Sequence, residues 1–129
     1  MIMNYSVIAL GGAAGAVMRV AVGKFLPSLF MGMSAQVLFV NIFGCFMMGL
    51  LTELMAFYWP ASQNMRYFLV SGFLGSFTTF SAFSVEFALF VEKNDYGMAS
   101  LFAVLVFSLS IIGFFVGLKL IRAVLGVLF

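Results

Sequence analysis

Apolar residues run along this chain in four long blocks separated by short polar breaks: about Tyr5 to Phe25, Phe30 to Thr52, Tyr67 to Val91 and Tyr96 to Leu118. Each block is long enough to cross a bilayer as a helix. The breaks hold the turn and surface residues. Lys24, Pro27 and Ser28 mark the exit of the first block, and Ala61 to Asn64 follow the interfacial aromatics Tyr58 and Trp59 beside Pro60. Glu92, Lys93, Asn94 and Asp95 close the third block. The pattern predicts an all-α membrane protein with four transmembrane helices, forming a single domain over residues 1–129.

The third block departs from a lipid-facing pattern. Within Gly72-Phe73-Leu74-Gly75-Ser76-Phe77-Thr78-Thr79-Phe80-Ser81-Ala82-Phe83-Ser84, glycines and hydroxyl side chains alternate with phenylalanines. The stretch predicts a break in the third helix. Backbone released from helical bonding cannot face hydrocarbon, so such a break must be buried in protein or line a polar cavity. Broken membrane helices present carbonyls and amides to ions in this way.

Composition narrows the class. With 65% hydrophobic residues and 8% charged, and a mean hydropathy of +1.24, the chain is no ordinary soluble domain. The net charge of +2 is small and scattered, which excludes a nucleic-acid partner. A single cysteine, Cys45, rules out an intrachain disulfide. No histidine is present, which removes the usual general base near neutral pH. No nucleophile–base pair or metal-ligand cluster stands out, so the chain is not read as an enzyme. The first block lacks a positively charged leader and is expected to be a retained span. A chain of this size has little room to enclose a water-filled path alone, which points to oligomerisation.

Charge also speaks to orientation. Four spans place Arg66, Lys119 and Arg122 on one side and Arg19, Lys24 and Lys93 on the other. Orientation follows an excess of Lys and Arg on the cytoplasmic side. Here there is none, so insertion both ways round is expected, and opposed copies can form an antiparallel pair. The plainer alternative is that the first span or the N-terminal amine breaks the tie.

Several residues within the blocks are candidates for chemistry. Asn41 lies mid-span, where an amide must face a partner helix or water. Arg19 reads as an interfacial anchor whose stem snorkels toward the headgroups. At about 100° per residue, Ser76, Thr79, Phe80, Phe83 and Phe87 share one broad face, with Glu86 on or beside it. Phenylalanine rings carry a positive edge, so inward edges attract an anion weakly, and Asn41 and Ser110 add N–H and O–H donors. Such a lining suits a small anion that accepts strong hydrogen bonds. The plainer reading is that Phe80 and Phe83 pack as interface aromatics, and Ser110 bonds back to its own helix.

The run Gly72-x-x-Gly75-Ser76-x-Thr78-Thr79-Phe80-Ser81-Ala82-Phe83 resembles the signature of the Fluc family, small dual-topology fluoride channels of microbes. Similar matches lie in Gly11-Gly12-x-x-Gly15-Ala16-x-x-Arg19, in Asn41-x-x-Gly44-x-Phe46-x-x-Gly49 and in Ser110-x-x-Gly113-x-x-x-Gly117. The resemblance implies an antiparallel homodimer with two fluoride pores, releasing fluoride passively from the cytoplasm across a bacterial inner membrane. It implies a structural sodium ion held by the backbone carbonyls of Gly75 and Thr78 from both subunits. It also places Asn41, Thr79, Phe80, Ser81, Phe83, Ser110 and Glu86 along the fluoride pathway, with Glu86 near a vestibule. Ser76 stands where the family often has glycine, and Ala82 where it usually has threonine. A small multidrug-resistance exporter would match the size but relies on a carboxylate in the first span. Residues Tyr5 to Phe25 contain none. A non-transporting membrane subunit is the other alternative, and it would need none of the amide and hydroxyl groups.

Overall fold

The computed structural model describes residues 2–128. Four helical stretches are long and apolar enough to cross a membrane: Met3–Phe25, Ala35–Tyr58, Gln63–Glu92 and Tyr96–Leu128. The first is α1 (Ile2–Phe25). A two-residue-stranded hairpin follows, β1 (Leu29–Phe30) and β2 (Met33–Ser34), paired antiparallel with Leu29 opposite Ser34. The second span is α2 (Ala35–Glu53), which continues as a π-helical stretch over Leu54–Tyr58. The third comprises α3 (Gln63–Arg66), a π-helical stretch over Tyr67–Leu74, α4 (Gly75–Phe77) and α5 (Phe80–Glu92). The fourth is α6 (Tyr96–Leu128).

The element boundaries differ from the hydropathy blocks for local reasons. The second helix starts at Ala35 and not at Phe30, because Met31 and Gly32 have φ of 55° and 84°, which a right-handed helix cannot hold. Positive φ at both central residues is the hairpin turn that matches strand twist. Ser34 then caps α2, its hydroxyl accepting the Val37 N–H at 3.3 Å. The third span starts at Gln63, inside the expected Ala61 to Asn64 turn, because Ser62 accepts the Met65 N–H at 3.2 Å. The fourth helix runs past Leu118 to Leu128. Lys119 and Arg122 lie within it and do not end it.

The tight α5–α6 connection follows from Asn94, at φ 58°. The Asn94 N–H bonds the Val91 carbonyl and the Asp95 N–H the Phe90 carbonyl, each at 2.9 Å. This paired closure satisfies the last carbonyls of α5. Asp95 caps the next helix in turn, with Oδ1 accepting the Met98 N–H at 3.1 Å.

The spans pack in two seams. In one, α1 lies against the π-helical stretch before the break. A Cβ at Gly72 would meet the Ile8 carbonyl oxygen at 2.8 Å and the Gly11 Cα at 2.9 Å, so only hydrogen fits there. In the other, α2 lies along α6, and a side chain at Gly117 would strike the Phe46 carbonyl. Small residues that let membrane helices approach closely are a general source of association in lipid. Met33, Val37, Leu38, Phe83, Phe102 and Val106 form the buried core, toward the hairpin end of α2. At the far end the buried Glu53 carboxylate accepts two hydrogen bonds from Arg122, from Nε at 2.9 Å and Nη2 at 3.2 Å.

Candidate functional site

The third span is interrupted between Phe77 and Phe80. Thr78 has φ −81° and ψ 154°, and Thr79 has φ −149° and ψ 115°, so both are extended. Three side chains organise this interruption. Asn41 Oδ1 accepts the Thr79 N–H at 2.9 Å, and Asn41 Nδ2 donates to the Thr79 carbonyl at 3.2 Å. Thr79 Oγ1 accepts the Ala82 N–H at 3.1 Å and so caps α5. Thr78 donates from both N and Oγ1 to the Leu74 carbonyl, at 3.1 and 3.0 Å.

These bonds redirect two amides. In an unbroken α-helix the Thr79 N–H would bond the Gly75 carbonyl, and the Ala82 N–H would bond the Thr78 carbonyl. Both are held elsewhere. The Gly75 and Thr78 carbonyls are thereby released from their helical partners.

A cavity of about 300 Å³ opens beside the break, lined by Asn41, Cys45, Thr78, Thr79, Phe80, Phe83, Val106, Phe107, Ser110 and Ile111. Six of the residues singled out in the sequence meet here: Asn41, Thr78, Thr79, Phe80, Phe83 and Ser110. The two phenylalanines are held differently. Phe83 is 5% exposed, stacked on Phe102 at 5.2 Å and edge-on to Phe107 at 5.4 Å. Phe80 is 67% exposed and tilted against Phe83 at 5.5 Å. Ser110 Oγ is buried with no hydrogen bond of ordinary geometry. The Cys45 thiol beside it is a weak partner.

Ser81 is not in this cavity. It lines a second one of about 340 Å³ with Arg19, Gln36, Thr79, Ala82 and Val85. Thr79 belongs to both, and its Oγ1 lies 3.2 Å from Ser81 Oγ. Gln36 Nε2 ties this outer cavity to α1 by donating to the Arg19 carbonyl at 2.8 Å. Glu86 is half-buried on α5 and lines neither cavity. Ser76 and Phe87, placed on the same wheel face, also lie outside the inner cavity. For Ser76 the break explains this, because two extended residues reset the helical phase between it and α5; Phe87 lies one turn beyond Phe83 and packs on it at 6.0 Å.

Cys45, Gln36 and Arg19 were not singled out from the sequence for these positions. Cys45 follows Asn41 by four residues, so helical spacing puts both on one face. Arg19 and Gln36 gave no such signal, because they come from different helices. Among the described residues, no group of three or more His, Cys, Asp or Glu is placed to hold a metal. A cation here would have to rest on backbone and hydroxyl oxygens, and the released Gly75 and Thr78 carbonyls fit that need.

The sequence is similar to known proteins over most of its length. Residues 6–118 match the family described as CrcB-like protein, Camphor Resistance (CrcB). The fluoride-specific ion channel FluC of Rhodopseudomonas palustris (strain BisB5) is 40% identical over 126 residues, covering 95% of this chain and 99% of the relative. The protein of the same name in Agrobacterium fabrum is 40% identical over 125 residues, covering 93% and 97%. That of Rhodospirillum centenum is 41% identical over 119 residues, covering 89% and 92%. With both the family match and these relatives extending over nearly all of its four membrane-spanning helices, the chain belongs to the CrcB-like family.

Proposed function

We propose that this protein is a fluoride-selective channel, working as an antiparallel homodimer inserted in both orientations in a bacterial inner membrane and letting fluoride leave the cytoplasm passively. The observation that carries the reading is the inner cavity, which joins ring edges and hydroxyl groups beside a helix break and has no charged residue in its lining. A small anion that accepts strong hydrogen bonds can exchange water for Ser110 Oγ–H and the positive edges of Phe80 and Phe83. With no Lys or Arg side chain in this lining, no charged side chain holds the anion too tightly to leave. Arg19 supplies positive charge to the outer cavity, and Thr79 joins the two spaces.

A second copy of the chain is the partner this arrangement favours. Phe80 lines the cavity and is still largely exposed, so one wall is open in a single chain. Ser71, Gly75, Ser81 and Ser84 are exposed on the third span. Polar backbone and hydroxyls there are better covered by protein than by lipid. In an antiparallel pair, the released Gly75 and Thr78 carbonyls of both copies would face each other and hold a sodium ion, whose charge would steady the break and favour an anion nearby. The low charge of the donor set suits a monovalent ion better than calcium.

Reconstitution of the purified protein into liposomes tests this. Loaded vesicles should release fluoride and retain chloride, and long preparation in sodium-free solution should weaken the fluoride release. Equal passage of both anions would overturn the proposal.

A further inference from the structure

The second helix carries sulfur at Cys45, Met47 and Met48, and the passage of a hard anion uses none of it. Cys45 is the chain's single cysteine and lines the inner cavity, half-buried. Met48, also half-buried, lines a further groove of about 420 Å³ with Thr52, Met55, Gln63 and Arg66. Residues three apart on a helix are neighbours, with Cβ atoms about 5–6 Å apart. A long side chain on a helix leans back over the preceding turn, which brings the Met48 thioether over the turn that holds Cys45. Met47, two residues on from Cys45, falls on another face.

A second observation comes from the opposite wall. Ser110 on α6 shares the cavity with Cys45, is 8% exposed, and its Oγ has no hydrogen-bond partner. Buried polar atoms are ordinarily bonded, so an unfilled oxygen facing a thiol across one small space marks a place that a bound species completes. The hydroxyl hydrogen suits an anion, and its lone pairs are left for a cation.

We propose that Cys45 and Met48 form a binding site for a soft monovalent cation, copper(I) or silver(I), and that its occupation closes the inner cavity to the anion. Thiolate and thioether ligands select such ions. These ions are satisfied by two nearly opposed donors, so the site needs no cluster of three His, Cys, Asp or Glu, and among the described residues there is none. Methionine, with three rotatable bonds, adjusts to the required angle.

Charge sharpens the selection. On binding, the Cys45 S–H bond breaks, an S–metal bond forms and the proton leaves to water, with no change of oxidation state: Cys–SH + Ag⁺ gives Cys–S–Ag + H⁺. The lining contains no charged residue, and an unpaired charge buried there is costly. A monovalent ion on one thiolate leaves the site neutral, as it was before. Zinc on the same pair would leave a net positive charge. Fluoride is a hard anion and does not displace sulfur from a soft metal. The closure itself rests on the proposed function, because Cys45 shares its cavity with Phe80, Phe83 and Ser110, and a metal on Sγ occupies the space the anion would cross.

The test titrates the full-length protein in chloride-free liposomes with silver nitrate. Bound silver, alkylation of the thiol by N-ethylmaleimide and fluoride release are read in parallel. The wild type should bind one tightly held silver ion per chain, as its single cysteine dictates. Binding should protect the thiol and stop fluoride release, and excess glutathione should reverse both. Cys45→Ala keeps all ten methionines and should lose the tight silver altogether. Met48→Leu should keep the thiol but bind silver about tenfold more weakly. The inhibition of each variant is scaled to its own release without silver. Equal sensitivity of Cys45→Ala and the wild type would overturn the proposal, as would silver that protects the thiol and leaves fluoride release unchanged. Unaltered affinity in Met48→Leu would remove Met48 from the site.

A measurement on the unmodified protein covers the case in which Cys45→Ala does not fold. X-ray absorption at the silver edge of the loaded wild type should show two sulfur neighbours, and fewer than two would overturn the site. A wild type that releases no fluoride before silver is added would refute the proposed function, while silver stoichiometry and thiol protection would still decide the metal site.

Discussion

The two halves of the third span are seated by different physics. Before the break, the π-helical stretch Tyr67–Leu74 lies backbone to backbone on α1, with Gly72 opposite Gly11 and the Ile8 carbonyl. After it, α5 is held by rings, with Phe83 at the centre of contacts to Phe80, Phe87, Phe102 and Phe107. The first seating permits almost no change in shape. The second depends on packed volume, which adjusts more readily. The break is therefore a fixed junction between two separately anchored pieces, and Asn41 is the polar group that spans it.

Three tests sharpen this contrast. The largest effect is expected for Gly72→Val, because its new methyl groups meet backbone that cannot move aside. Unfolding in detergent should register a loss of about 3 kcal/mol or more, with little folded protein recovered. A mild effect would mean that the first half is as adaptable as the second.

The next test separates the two cavity phenylalanines. Phe83→Ile disturbs the buried aromatic cluster and should cost about 1–2 kcal/mol of stability as well as fluoride flux. Phe80→Ile leaves the core intact, so stability should change by about 0.5 kcal/mol or less while flux falls. Equal destabilisation by both would mean that Phe80 packs as Phe83 does, and the ring-edge role would lose its support.

The smallest effect on the break is expected for the Glu53–Arg122 pair, which is remote from it. Arg122→Ala leaves a buried carboxylate without its partner, whereas Glu53→Gln removes the charge with the partner exposed. The first should destabilise more than the second, and neither should alter sodium retention. A change in sodium retention would tie the break to the far end of α2.

The parts of the fold that hydropathy controls were legible in the sequence. The four blocks became four helical spans because an apolar helix satisfies its own backbone in lipid. Their ends were less legible, since Ser34, Ser62 and Asp95 fix them by single hydrogen bonds that hydropathy does not record. The candidate site divides in the same way. Asn41 was conspicuous because an amide is costly in mid-membrane, and the hydroxyls around Thr79 were conspicuous in an apolar run. The bond between them was not, because it joins residues 38 positions apart. Ser81 was assigned to the pathway by family resemblance and not by the wheel, which left it off the face of Phe80 and Phe83, and it lines the outer cavity.

The length of α6 bears on the membrane itself. Its 33 residues span about 50 Å at the rise of an α-helix, against a hydrocarbon core about 30 Å thick. Tilting alone would require an inclination steeper than the roughly 40° reached by membrane helices, so part of α6 must project from the hydrocarbon. Lys119 and Arg122 place that projection at the C-terminal end, followed by the apolar run Ala123 to Leu128. This tail has a natural resting place among the headgroups. In a thicker bilayer more of it would be drawn in, and in a thinner one it would be pushed out. The fourth helix thus ties the depth of its C-terminal end to the thickness of the bilayer.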